Sequence, residues 1–236
     1  SDVYKRQVSL RTGFTAELAQ RHAKQAKEAA KASATNQIIN GLENIPDTIP
    51  LFYDDVNQTE FNASVLLCTE LSVENETLGA SYGLVLDRTC FYPEGGGQEA
   101  DYGTISTESV HCRVLDTQKA GNHIVHLVDN PLKNGDVVQG AVDWKRRKQL
   151  MDHHTSVHIV GGAARRILGP HIYQAGANKS EELARLDITH YNRLTREDLD
   201  LIERMANEVL VQVHKTEKTI LNRKDADKKH GFDLYQ

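Results

Sequence analysis

The sequence predicts an α+β protein in which a small β-barrel is followed by a two-layer α+β unit. Three observations carry that expectation. Short alternating apolar and polar runs fill the stretch from Leu51 to Val142, punctuated by Gly, Asn, Asp and Pro clusters, with no helical period among them. After Trp144 a long helical pattern begins and is closed by Gly169-Pro170. Beyond it strand and helix patterns alternate, as in a sheet with helices on one side. The expected organisation is a helical linker segment over 1–48, a barrel domain over 49–144 and an α+β domain over 145–236.

The elements follow in order. Ser1 to Gln7 fits no pattern, is polar and lacks the apolar segment of a signal peptide. Thr15 to about Thr35 is rich in Ala, Lys, Glu and Gln and predicts a helix. Its apolar stripe is thin and mostly Ala, so a solvated or partner-packing helix is expected rather than a core one. Gly41 to Pro50 holds two prolines and reads as a linker. Strands are expected at Ser64–Thr69, Tyr82–Asp87, Thr104–Ser106, His111–Asp116 and His123–Val128, with another ending at Val142 after the Asn134-Gly135-Asp136 turn. So many short strands without intervening helices indicate a barrel or a sandwich. Arg146–Leu168 predicts a helix, and His171–Ala175 and Ala184–Thr189 two strands. Thr195–Val211 predicts a helix capped by Thr195 with Asp198, striped by Leu199, Ile202, Met205, Ala206, Val209 and Leu210. Glu217–Leu221 and Arg223–His230 read as a last strand and a short helix.

Composition bounds the function. Apolar residues are 39% and charged residues 26% of the chain, an ordinary globular balance. No run of 18 apolar residues occurs, so no membrane span is expected. The three cysteines, Cys68, Cys90 and Cys112, form no CxxC pair, which argues against a disulfide framework and for a reducing, cytoplasmic setting. The formal net charge of −5 argues by itself against a nucleic-acid binder. Local clusters point the other way: Lys145 to Lys148 with Arg146 and Arg147, then Arg165-Arg166, Lys179 and Arg185 offer cations that suit phosphate. A solvated helix face explains such a run equally.

Two constellations carry chemistry. His154 and His158 stand at i and i+4, on one face of a helix, a spacing that lets both imidazoles reach one metal ion or lets both pack in a core. No Glu follows the first His, which excludes the peptidase HExxH pattern. Gly95, Gly96 and Gly97 allow backbone conformations closed to other residues, and their N–H groups can meet an anion or a carbonyl oxygen. The alternative is a hairpin turn. Gln98, directly after them, offers an amide at a fixed place.

Together these segments are more specific than any alone. Asp87-Arg88-Thr89-Cys90-Phe91-Tyr92-Pro93-Glu94-Gly95-Gly96-Gly97-Gln98 resembles the glycine-rich motif of the alanyl-tRNA editing family, and His153 to His158 resembles its zinc-binding helix. Tyr173 to Ala177 and Ala184 to His190 resemble the two strands that follow, and His230 to Gln236 the family's Tyr-Gly-Phe-x-Leu-Tyr-Gln segment. The helix around Glu17 to His22 resembles the segment leading into the editing domain of archaeal-type alanyl-tRNA synthetases. The resemblance implies a module of a cytoplasmic, ATP-binding aminoacyl-tRNA ligase that hydrolyses mischarged Ser-tRNA(Ala) or Gly-tRNA(Ala). It implies a barrel beside an α+β domain with Zn(2+) in the cleft between them, and tRNA(Ala) and the rest of the synthetase chain as partners. Of the family's zinc ligands, the HxxxH pair carries over to His154 and His158. The family's later CxxxH has no counterpart after Cys112, so a half-site is expected, with weak zinc binding and poor editing by this chain alone. Gln98 and Gln174 are expected to read the serine hydroxyl, with Thr89 lining the same pocket. A free-standing deacylase, the related editing domain of threonyl-tRNA synthetase and a non-catalytic tRNA-binding module are the alternatives.

Overall fold

A computed structural model describes residues 22–39, 41–72, 79–212, 219 and 221–231. The segment from Glu17 to Arg21, most of the Glu217–Leu221 strand and the match at Phe232 to Gln236 lie outside the described residues. The chain divides into two compact units: residues 1–95 with 100–147, and residues 96–99 with 148–236.

The first unit is a closed barrel. Its strands are β2 (Glu60–Glu70), β3 (Tyr82–Leu86), β5 (Gly103–Ser106), β6 (His111–Ala120), β7 (His123–Val128) and β8 (Val137–Val142), in the order β2-β3-β7-β6-β5-β8. Every pairing is antiparallel. Closure leaves no sheet edge unpaired, which is why strands this short hold together. A short parallel pair, β1 (Ile49–Pro50) with β4 (Arg88–Thr89), lies at the side. Phe61, Leu84, Leu86, Phe91, Ile105 and Val128 are among the side chains filling the core.

Helix α1 covers residues 22–39. The expectation that it would be solvated is corrected here. Ala34 and Ile38 are fully buried with Val85, Val125 and Leu127 in a second core cluster. Strand β3 therefore buries both faces, so its Gly-Leu-Val-Leu run is continuous rather than alternating. Gly83 makes the contact possible: a Cβ there would lie 2.0 Å from Ile38 Cδ1. Lys31 of α1 also reaches Glu94 at 2.5 Å and the buried Asp116 at 3.1 Å.

His126 is wholly buried in the barrel. Its ring nitrogens bond the Thr89 hydroxyl at 2.9 Å and the Leu84 carbonyl at 3.1 Å. Thr89 is therefore core, not pocket lining. Burial pushes the His126 pKa down to about 4. Because the folded value lies below the unfolded 6.5, its contribution to stability is complete above about 6.5 and is lost as pH falls toward about 4. The shift corresponds to about 3 kcal/mol at 1.36 kcal/mol per unit. The His126 imidazole should therefore show no NMR titration between pH 8 and 5, and His126→Asn should be less sensitive to acid in urea titrations than the parent. A ring titrating near 6.5 would contradict this.

The second unit packs α2 (Trp144–Leu168), from Lys148 onward, and α3 (Arg196–Val211) with the hairpin β9 (Gln174–Lys179) and β10 (Ala184–Ile188). Ala163, Ala164, Ile172, Ile202 and Ala206 form its core. Thr195 caps α3 with Asp198 in a full capping box, while Leu199 and Leu210 of the expected stripe remain exposed. The short helix α4 (Arg223–His230) follows. Strand β9 starts three residues later than expected and runs on to Lys179.

Candidate functional site

Residues 96–99 belong to the second unit, where Gln98 pairs with Lys179 of β9 in a single parallel bridge. Lys179 N–H donates to the Gly97 carbonyl at 2.7 Å, and Glu99 N–H to the Lys179 carbonyl at 3.0 Å. The Lys179 ammonium turns back to the Gly96 carbonyl at 2.7 Å. This pairing, with that to β10, carries β9 through the polar Asn178 and Lys179. Gly96 and Gly97 have φ of 58° and 75°, the left-handed region that favours glycine. A Cβ on Gly97 would also meet the Ala177 carbonyl oxygen at 2.5 Å. Gly97 is thus required by a close backbone approach as well as by its φ, and Gly96 by its φ.

The loop delivers Gln98 to the histidine helix. Gln98 is 4% exposed, and its Oε1 lies 2.8 Å from His154 Nδ1. With Nδ1–H donating to that oxygen, Nε2 keeps its lone pair. His158 stacks on His154 with ring centroids 5.1 Å apart and planes 15° apart. Burial, then the Lys179 ammonium, then His158 hold the His154 pKa below the ordinary value, favouring neutral imidazole. His153, on the same helix, is fixed separately by the Ser180 carbonyl at 2.7 Å.

His158 also lines a shallow, half-open cleft of about 30 Å³ between the face of α2 and the hairpin. Gln174, Tyr173, Leu186 and Arg165 line it too, as do Gly161 and Gly162. The two glycines were not singled out from sequence. Adjacent glycines inside a helix cost roughly 1 kcal/mol each relative to Ala, and that cost was the available signal. Their missing side chains leave the cleft its room.

The expected phosphate-binding residues divide. Arg165 lies on the cleft with its guanidinium 5.1 Å over the Tyr173 ring, and Arg185 is exposed and paired with Asp187 at 3.2 Å. Arg146, Arg147 and Lys179 are turned inward instead. Arg146 donates to the Ala100 carbonyl at 3.2 Å and stacks 3.8 Å over Tyr102. Arg147 is buried against Asp101, and Lys179 holds the glycine loop. Gly95 is the last residue of the barrel unit before the loop.

The donor set fits zinc as half a site. Imidazole suits zinc, and a ligating histidine normally donates its other N–H to an oxygen, the place Gln98 occupies. Among the described residues no group of three His, Cys, Asp or Glu stands ready for a metal. No helix among them is long and apolar enough to cross a membrane.

Residues 4–146 match the model of a family described as tRNA synthetases class II (A). The chain is 40% identical over 233 residues to an alanine–tRNA ligase of Natronomonas pharaonis, covering 97% of this chain and 24% of that protein. It is 44% identical over 196 residues to the alanine–tRNA ligase of Haloquadratum walsbyi and 43% over 197 to that of Pyrococcus furiosus. Each of those two alignments covers 83% of this chain and 20% of the relative. The chain therefore spans a fifth to a quarter of the length of these relatives.

Proposed function

The chain belongs to the class II (A) tRNA synthetase family, and from that premise we propose that it carries the editing site of an alanine–tRNA ligase. The reaction is hydrolysis of the ester joining serine or glycine to the terminal ribose of tRNA(Ala). The observation that supports it most is the Gln98–His154–His158 array, held by a glycine loop beside a cleft that also presents Gln174.

The chemistry calls for such a site. A pocket shaped for alanine excludes glycine or serine only weakly, since one methyl is worth roughly 1–3 kcal/mol and an added hydroxyl is poorly rejected. A second, hydrolytic site restores fidelity. Gln98 sets the orientation and tautomer of His154, directing Nε2 away from the loop. His154 and His158 would hold zinc, with the remaining ligands contributed from beyond the described residues. Bound there, zinc supplies Lewis-acid polarisation of the ester carbonyl or an activated water. Backbone N–H groups of Gly95 to Gly97 face the developing oxyanion or the tRNA end. Gln174, with both an amide donor and an acceptor, reads the serine hydroxyl. Arg165, at the cleft, meets phosphate.

Deacylation by the full-length ligase tests this. Ser-tRNA(Ala) and Gly-tRNA(Ala) should be hydrolysed and Ala-tRNA(Ala) spared. His154→Ala with His158→Ala should abolish both hydrolysis and the zinc content attributable to this site. Equal rates on correctly charged tRNA, or no hydrolysis at all, would refute the assignment.

A further inference from the structure

We propose that His171, His190 and Tyr191 form a stacking platform for a nucleobase of single-stranded RNA, at the rim of the cleft that His158 and Gln174 line. The identification of the ligand as the 3′ end of an RNA rests on the editing reading above.

The three rings make one built surface. His171 Nε2 and His190 Nδ1 are 2.9 Å apart, within hydrogen-bond distance, and their rings stack at 5.2 Å with planes 20° apart. The Tyr191 ring closes the cluster at 4.9 Å from His171 and 4.8 Å from His190, tilted by 35° and 34°. Yet Tyr191 is 77% exposed. An aromatic ring stabilises a fold chiefly through the area it buries, and Tyr191 buries little. The cluster orders an aromatic face and presents it to solvent.

Its place fixes its use. His171 directly precedes Ile172, Tyr173 and Gln174, and His190 follows Ile188 by two residues; all four neighbours line the cleft. Thr189 ties the two segments together. Its hydroxyl donates to the His171 carbonyl at 2.8 Å and accepts from Tyr173 N–H at 2.9 Å, while its own N–H donates to the Tyr173 carbonyl at 2.9 Å. The platform is therefore clamped to the rim. On the same rim the Arg165 guanidinium lies over the Tyr173 ring, placing a cation beside aromatic faces.

An ester seated against His158 and Gln174 belongs to a ribose whose base must lie outside the cleft. Aromatic rings and arginine planes are what hold splayed, single-stranded bases. Stacking is indifferent to base identity, because every base offers a π face. The histidine pair and Tyr191 thus hold the end of the strand while the cleft receives the ester.

The test is direct binding, independent of hydrolysis. The probe is a four-nucleotide single-stranded RNA with a 3′ adenosine, titrated into the 236-residue chain and followed by NMR at the His171 and His190 rings. Those resonances should shift, and the same RNA with an abasic 3′ end should bind at least fivefold more weakly. Tyr191→Leu should weaken binding at least fivefold with amide dispersion unchanged, and Tyr191→Trp should retain it. RNA that leaves these rings unshifted, equal affinity for the abasic probe, or wild-type affinity in Tyr191→Leu would overturn the platform. So would shifts produced only by raising the chain's own concentration, which would identify a second copy as the occupant. If the RNA shifts the rings but the ligase fails to deacylate, the platform stands and the editing reading falls. If the ligase deacylates but the RNA leaves the rings unmoved, the reverse holds.

Discussion

Replacing Asp101 by alanine should destabilise the barrel unit by about 3–5 kcal/mol, the scale expected when one partner of a buried ion pair is removed. Asp101 is fully buried, and its two carboxylate oxygens accept from Arg147 Nε at 2.9 and 2.8 Å and from Arg147 Nη2. The Tyr92 N–H adds a bond at 2.7 Å. Arg147 spends its other donors on the Cys90 carbonyl at 2.6 Å and the Val56 carbonyl at 3.3 Å. One guanidinium thus ties the first turn of α2 to three separate stretches of the barrel unit. Without the carboxylate, that cation stays buried and uncompensated, which costs far more than the pair contributes over an apolar replacement. Arg113→Ala provides the control. Arg113 pairs with Asp129 at 2.7 Å, but its side chain is 70% exposed, so its loss should cost no more than about 1 kcal/mol. Urea denaturation followed by far-UV circular dichroism measures both. Equal, small losses would show that the buried pair contributes nothing beyond a surface one.

That pair also shows where the sequence ceased to be legible. Lys145 to Lys148 looks like a basic run at a helix start, and nothing in its composition separates the cations that face water from those that do not. The partners that turn Arg146 and Arg147 inward, Ala100, Tyr102 and Asp101, lie some 46 positions away in the chain. Patterns with a local physical cause were readable. Strand β7 and helix α4 fall where their local patterns put them, and Thr195 with Asp198 closes the box its spacing implied. Patterns with a tertiary cause were not. Strand β6 runs on from Asp116 to Ala120 through polar residues, because it is paired to β7 across a bulge. Helix α1 looked solvated because its stripe is alanine, and only Gly83 opposite Ile38 makes so thin a stripe a core contact. Beta9 runs through its polar end because Asn178 and Lys179 are paired to β10 and Lys179 is bridged to Gln98 of the glycine loop. The site was half legible: the helical spacing of His154 and His158 put them on one face, but the Gln98 contact that orients them spans 56 positions.

Gln98→Ala should slow deacylation of mischarged tRNA by the full-length ligase tenfold or more, an effect of roughly 1.4 kcal/mol or above. The cause is orientation. Gln98 Oε1 is the acceptor for His154 Nδ1, at 2.8 Å, and both atoms sit within a loop-and-helix unit held by Lys179. Alanine leaves Nδ1 without that oxygen, so the ring can rotate or exchange tautomers. Losses of 10–100-fold in metal affinity or activity are typical when such an orienting partner is removed. Gln98→Glu keeps an oxygen at the same reach and should restore part of the rate. Because Gln98 is buried, some loss of stability accompanies the alanine change, unlike that expected for a residue in a loose turn. A purely structural role would lower the fraction folded and leave the kcat of the folded enzyme intact. An orienting role lowers kcat itself and, at equal folded fraction, weakens zinc retention against a chelator. Wild-type kcat and zinc retention in Gln98→Ala would remove Gln98 from the site.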